Sequence, residues 1–218
     1  MIEPSRLLAM LSAHAHEHGD LLCHWLPERL ITYRRFWSRI ERASARLQGE
    51  WGIKQGQTIA YVGASHPDII VLYAALVRIG AAFMPLEDLS MQAAMPFVQQ
   101  ADISHVVVDD HTTLVDRTTH YLPQLLADWC HFEPEVNEEN PLLKSLLLPS
   151  ASGLIDHLSL SELCVKLSPR ASSHWVTGSI FDVESLTTIV WPSLRDLQTL
   201  HFSAIEKTAS VNLSNQQE

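Results

Sequence analysis

Apolar positions in the first fifty residues recur at helical spacing. Leu7, Leu8, Leu11 and Ala15 predict a first helix over residues 5–25, ended or interrupted at Gly19-Asp20. Leu30 to Tyr33 reads as a short extended piece, with Thr32 placed to cap a second helix. There Tyr33, Phe36, Ile40, Ala43 and Leu47 advance by 3, 4, 3 and 4, one apolar stripe. Arg34, Arg35, Arg39, Arg42 and Arg46 occupy much of the remainder, and Gly49 to Gly56 holds the stop and a turn. A solvated face is the favoured reading of the arginines, and a grip on an acidic partner is the other.

From Thr58 onward the pattern alternates between strand and helix. Thr58–Val62 is a strand, Gly63–Pro67 a loop, and Asp68–Ile79 a helix apolar nearly all round, hence buried. Gly80 stops it. Ala81–Met84 reads as a strand cut off by Pro85, and Ser90–Gln100 as a helix despite Pro96. His105–Val108 is a continuous apolar run, the mark of a strand inside a parallel sheet. Strands separated by helices imply right-handed βαβ units and an α/β fold with a mostly parallel sheet.

Beyond Asp110 the signal thins. A helix is expected around Leu122–Trp129, a strand at Leu142–Leu148, a small-residue turn at Ser150–Gly153 and a helix at Leu158–Leu167. Trp175–Phe202 mixes alternating and helical pieces that the pattern does not separate. The expected division is one domain over residues 1–205 and a polar, frayed tail over 206–218.

Composition narrows the class. With 46% apolar and 18% charged residues, the 218-residue chain has a globular balance. Its net charge of −10 makes it a poor nucleic-acid binder. The longest apolar run, Ile69–Val77, is far short of the ~20 residues that span a bilayer, and the N-terminus lacks a signal peptide's basic start. Cys23, Cys130 and Cys164 are scattered and odd in number, so they read as small buried apolar residues in a reducing compartment. A cytoplasmic protein without membrane or nucleic-acid partners is the expectation.

Four segments carry a family resemblance. Residues 31–37 (Ile-Thr-Tyr-Arg-Arg-Phe-Trp) resemble the LTYxEL opening of the AMP-dependent synthetase and ligase superfamily. Residues 51–62 resemble its GVxxGDxVAIL entry into a strand, residues 67–86 its PEfvvalLAxlxaGAvxvPL block, and residues 103–109 its ARVVLTD. Order and spacing over about eighty residues make the match specific. The family includes acyl-CoA synthetases and peptide-synthetase adenylation domains. The resemblance implies a layered αβα fold like part of the N-terminal subdomain of these enzymes. A competent member activates a carboxylate with ATP and passes the acyl group to a thiol.

The family's next feature is a phosphate loop of Thr, Ser and Gly followed by Pro-Lys-Gly. Small residues let backbone N–H groups surround ATP phosphates, and the lysine adds positive charge. Here Glu138-Glu139-Asn140 and Leu142–Leu148 resemble its lead-in, so the loop falls at residues 149–157. Ser150, Ser152 and Gly153 fit a vestigial phosphate cradle, but Asp156 and His157 stand about where Pro-Lys-Gly belongs. An ordinary strand-to-helix turn uses the same residue types. Ile180–Asp182 and Trp191–Leu194 resemble a later FDxxxxxxxxPLLxGATL segment, with Asp196 at its glycine. The adenine and ribose motifs and the C-terminal subdomain's lysine do not follow. ATP with magnesium is therefore expected only if the altered loop still binds. Expected partners are a carrier protein, another biosynthetic enzyme or a polypeptide supplying the missing motifs.

No catalytic or metal-binding residue is assigned. His14 and His18 sit at i, i+4 beside His16, Glu17 and His24, a spacing able to share one metal, but a His-rich surface helix is the favoured reading. His157 with Ser159 or Ser161 lacks an orienting acid and an oxyanion hole.

Overall fold

The computed structural model describes residues 4–26, 29–110, 114, 116–127, 133–135, 144–177 and 179–202. The expected strand at 142–148 therefore lies partly outside the described residues, and Cys130 and the tail at 206–218 lie wholly outside. Helix α1 (Pro4–Glu17) stops well before residue 25, and Leu22–Leu26 forms strand β1 instead. Strand β2 (Arg29–Thr32) returns antiparallel to it. Helix α2 (Tyr33–Gly49) follows, and the Thr32 hydroxyl accepts the Arg35 N–H at 3.3 Å as the expected N-cap. The predicted stripe, Tyr33, Phe36, Ile40, Ala43 and Leu47, is buried.

Then come β3 (Thr58–Gly63), α3 (Asp68–Arg78), β4 (Ala82–Glu87), α4 (Met91–Gln100) and β5 (His105–Val108). Strand β4 runs through Pro85, contrary to the expected break. Proline's fixed φ suits an extended strand, and the pairing registered on the β7 side is at Phe83, two residues earlier. Pro96 stays inside α4 because it lies on the exposed face, where the carbonyl it leaves unpaired meets solvent. The chain continues through β6 (Thr118–Tyr121), a short α5 (Leu122–Leu125) that has ended by residues 126 and 127, with the last two residues of the helix expected to Trp129 outside the described residues, β7 (Lys144–Pro149) and β8 (Ile155–Ser159). Helix α6 (Leu160–Lys166) begins after β8, later than the predicted Leu158. Strand β9 (Trp175–Val176), α7 (Val183–Ser185), a π-helical turn (Leu186–Val190), α8 (Trp191–Arg195) and β10 (Leu200–Phe202) complete it.

Strands β6-β5-β3-β4-β7-β8 form a six-stranded sheet, parallel except for β8. Its side chains alternate between faces. Ile59, Tyr61, Phe83, Val107 and Leu146 join the main core with α1, α2 and α3. Ala60, Val62, Met84, Val106, Val108 and Leu147 face α4 through Ala94 and Val98. This is the expected layered α/β arrangement. The unexpected part is a second sheet, β2-β1-β10-β9, sharing the main core through Ile31, Val176, Leu200 and Phe202. Its strands have two to five residues, too short for alternation to show in sequence.

Polar side chains are buried at α2, among them Arg39, Ser44 and Arg46 on the helix and His24 and Asp68 beside it, so the arginine face is only partly solvated. Arg39 is not solvated, as expected of the arginine face, but reaches Asp68 at the start of α3 at 2.8 Å, and Arg29 adds a contact at 3.4 Å. Burial alone would raise the Asp68 carboxyl, but Arg39, Arg29 and His66 carry it below its ordinary value. His24 is fully buried between Phe36 and Phe202, at 4.6 and 5.5 Å between ring centres. Neither of its ring nitrogens has a hydrogen-bond partner among the described residues. Burial pushes its pKa down to about 3.

Asp68→Asn leaves Arg39 buried without a counter-charge, and urea denaturation is expected to show a loss of about 3 kcal/mol. A loss below ~1 kcal/mol would contradict a structural ion pair, since that is the value of an exposed one. His24 gives a pH signature. The unfolded chain binds its proton near pH 6.5 and the folded chain only near about 3, so stability falls as pH drops below 6.5. The slope approaches ~1.4 kcal/mol per pH unit. His24→Leu orphans no partner, and its stability measured at pH 5 and pH 7 is expected to lose the His24 share of the pH dependence, while His66, His105 and His120 keep theirs.

Candidate functional site

In parallel α/β sheets ligands bind beyond the carboxyl ends of the strands, where connections leave to opposite faces. Here that point lies between β3 and β4. Helix α3 follows β3 onto one face, and α4 follows β4 onto the other before the chain crosses to β5 on the far side of β3. The loop Ala64–Pro67 and the turn at Asp88 flank the crevice. Pairing of Phe83 with Leu146 makes β7 end at the same edge, so Ser150 lies there too.

Carboxylates hold this edge together. Asp109, just after β5, accepts the Ala64 N–H at 2.7 Å. Asp88 accepts the Ser65 N–H at 3.1 Å, and its own N–H returns to the Gly63 carbonyl at 2.8 Å. This bond bridges the two flanks of the crevice. Tyr61 donates its hydroxyl to the Ala64 carbonyl at 2.8 Å. Burial and then Asp109, Glu87 and Asp88 push that phenol up, so it stays protonated. Gly63 is required by close approach: a Cβ there would lie 2.5 Å from Cγ of Asp109 and 2.6 Å from the Tyr61 hydroxyl. Glu87, at the end of β4, accepts N–H groups from Ile180 at 2.9 Å and Phe181 at 3.0 Å, and the Ser179 hydroxyl at 3.2 Å. Burial raises the Glu87 carboxyl, while Ser65 and these donors pull the other way. Sequence reading missed Glu87, Asp88 and Asp109 as a group. Their one signal is position, since each lies at the end of a strand or just after it.

The serine turn at Ser150–Leu154 joins β7 to β8, so it is a strand-to-strand hairpin and not the strand-to-helix turn of the alternative reading. Period-2 polarity is poor in Ile155–Ser159, which hid the second strand. The Ser150 N–H donates to the Leu154 carbonyl at 2.8 Å, and Gly153 N–H donates to the Ser150 carbonyl at 3.0 Å. The Ser150 hydroxyl lies 2.8 Å from that of Ser152 and donates to the Leu154 carbonyl at 3.0 Å. Gly153 takes φ +79°, the left-handed value that glycine tolerates. Asp156 and His157 lie in β8, opposite Leu148 and Leu147, and are exposed.

The other candidates are dispersed. His14 meets the Arg195 carbonyl at 3.0 Å through Nε2, His16 meets the Ser12 carbonyl at 2.7 Å through Nδ1, and His18 is exposed. Ser159 caps α6 in a reciprocal capping box with Glu162, which accounts for its hydroxyl. Among the described residues no group of three or more His, Cys, Asp or Glu side chains is arranged to hold a metal ion. None of the described helices is long and apolar enough to cross a membrane.

Comparison with known proteins agrees with the fold. The family of AMP-binding enzymes matches residues 11–162. Curated proteins give no match. Among solved structures, the Klebsiella oxytoca NpsA N-terminal subdomain in complex with 3-hydroxyanthranilyl-AMSN is similar at TM-score 0.74 and 16% identity. The match covers 89% of this chain and 52% of that one, so this chain spans about half its relative's length. Unliganded O-succinylbenzoate coenzyme A synthetase (MenE) from Bacillus subtilis is similar at TM-score 0.72 and 12% identity, covering 89% and 43%. At such identities the structures establish a shared fold, while the family match extends over more than half of the sequence. The chain belongs to the AMP-binding enzyme family.

Proposed function

We propose that this chain is a pseudo-adenylation domain: an adenylate-forming fold that does not activate a carboxylate with ATP on its own and acts through contact with another protein. The observation that carries the reading is the serine turn. A phosphate cradle needs N–H and hydroxyl groups aimed outward at the anion. In this turn the Ser150 and Gly153 N–H groups and the Ser150 hydroxyl are spent on bonds inside the hairpin. Ser150, Ser152 and Gly153 are then what remains of a phosphate loop. The cation that would complete it is replaced by exposed Asp156.

Charge supports the same reading. The sheet edge that would receive a nucleotide carries Glu87, Asp88 and Asp109, each already bound to loop N–H groups. A polyphosphate entering there meets like charge without a balancing lysine, which disfavours both binding and stabilisation of the transferring phosphoryl charge. The partner is a carrier protein or another enzyme of a biosynthetic pathway.

Calorimetric titration of the chain with ATP and magnesium is expected to show no binding up to millimolar ATP, and ATP–pyrophosphate exchange over a broad panel of carboxylic acids no turnover. Micromolar ATP binding, or exchange above background with any acid, would refute the proposal.

A further inference from the structure

His105 and His120 lie together on one side of the six-stranded sheet, away from the site above. Strand β6 is an edge strand of four residues, none of them fully buried. Its ladder pairs His105 with Thr118 and Val107 with His120, so the two histidines are diagonal neighbours on one face. Nδ1 of His105 lies 3.0 Å from Nε2 of His120. The rings are within 5° of one plane, with centres 5.3 Å apart. Rings whose facing nitrogens are 3.0 Å apart reach that separation only when those nitrogens lie on the line between the centres. The two nitrogens therefore point at each other. A chelated metal would instead need both lone pairs to converge on a point off that line. The arrangement is an N–H···N hydrogen bond. The Trp51 indole lies flat on His120, with ring centres 4.1 Å apart and 15° between planes.

We propose that the His105–His120 hydrogen bond, capped by Trp51, is a proton-operated latch that fastens edge strand β6 to the sheet and releases it on acidification. The bond needs one facing nitrogen with a proton and one with a lone pair. A single added proton leaves it intact, because an imidazolium still donates to a neutral ring. The second proton fills the last lone pair and sets two N–H groups and two charges against each other. Burial lowers the pKa of His105; burial and then the His105 charge push that of His120 down to about 4. His105 is the charged neighbour that bears on His120, and Trp51 brings none. A detached β6 titrates near ~6.5, so the latch is intact above that pH and weakens as pH falls towards about 4. Release would bare the outer hydrogen-bonding row of β5 at Val106–Val108, a template for another strand. Downstream, Arg46 still holds the chain by donating to the carbonyls of Gln124 and Ala127, which confines the opening to β6.

Amide hydrogen exchange on the whole chain at pH 6.5, 5.5 and 4.5, corrected for intrinsic rates, tests this. Opening of Thr118–Tyr121 is expected to rise about 40-fold between pH 6.5 and 4.5, for one proton bound near 6.5 in the detached strand and about 4 in the latched one. Amides of β3 should change at least tenfold less. His120→Phe keeps a ring against Trp51 and removes the paired titration, so its β6 protection should lose most of its pH dependence over the same range, leaving only what His105 carries alone. Exchange in β6 that tracks β3, or a pH dependence that is undiminished in His120→Phe, would overturn the latch. Imidazole nitrogen spectra at pH 7 give a check that needs no variant: the facing nitrogens should be one protonated and one bare. Two rings in free tautomer exchange with solvent would also overturn it.

Discussion

The structure depends on carboxylates meeting backbone N–H groups at the carboxyl ends of parallel strands. Parallel pairing sends the ends of β3, β4, β5 and β7 to one edge, and the loops that leave there carry N–H groups the ladder cannot use. Something anionic or carbonyl-like must satisfy them. In this chain Asp109 and Asp88 do so for the loop after β3, and Glu87 does so for residues 180 and 181. Charge-assisted bonds of this kind are roughly twice as strong as neutral ones. They fix the loops firmly, and they also occupy the donors that an incoming anion would have to find free.

The same economy governs the buried charges. Asp68 opens α3, where a carboxylate is favoured by the helix dipole, and takes Arg39 and Arg29 as partners. That lets α2 pack against α3 with an arginine on the contacting side. His24 follows another course: with two aromatic rings as neighbours and no hydrogen-bond partner among the described residues, it stays neutral. Electrostatics are thus settled locally, by pairing or by neutrality, despite a net charge of −10.

How much of this was legible in sequence depended on local pattern. The βαβ core from Thr58 to Val108 was readable because β3 and β5 are short apolar runs, α3 is apolar all round, and Gly80, at φ +73°, stops the helix. The Thr32 cap was readable because its chemistry is local. The second sheet was not: β1 and β10 pair in parallel across most of the chain, and short strands of that kind gain stability only from a distant neighbour. Strand β8 was hidden by Asp156 and His157, polar because it is an edge strand. The serine turn was located by resemblance, but whether it opens outward or closes on itself depends on pairing between β7 and β8. The carboxylate edge was illegible for a similar reason. Asp88 and Asp109 are unremarkable turn residues until parallel pairing brings their strand ends together.

Glu87 connects these levels. It ends a strand of the main sheet, yet its acceptors serve residues 179–181, which lead into the helical run at Val183–Arg195. That run packs Leu186, Val190, Trp191 and Leu194 into the main core and leads to β10 of the second sheet. One carboxylate thus ties the ligand-facing edge of one sheet to the segment that builds the other. Clearing Glu87 from its N–H groups to admit a bound anion would cut that tie. An edge organised in this way is a fixed joint, its acceptors committed to the fold before any ligand arrives.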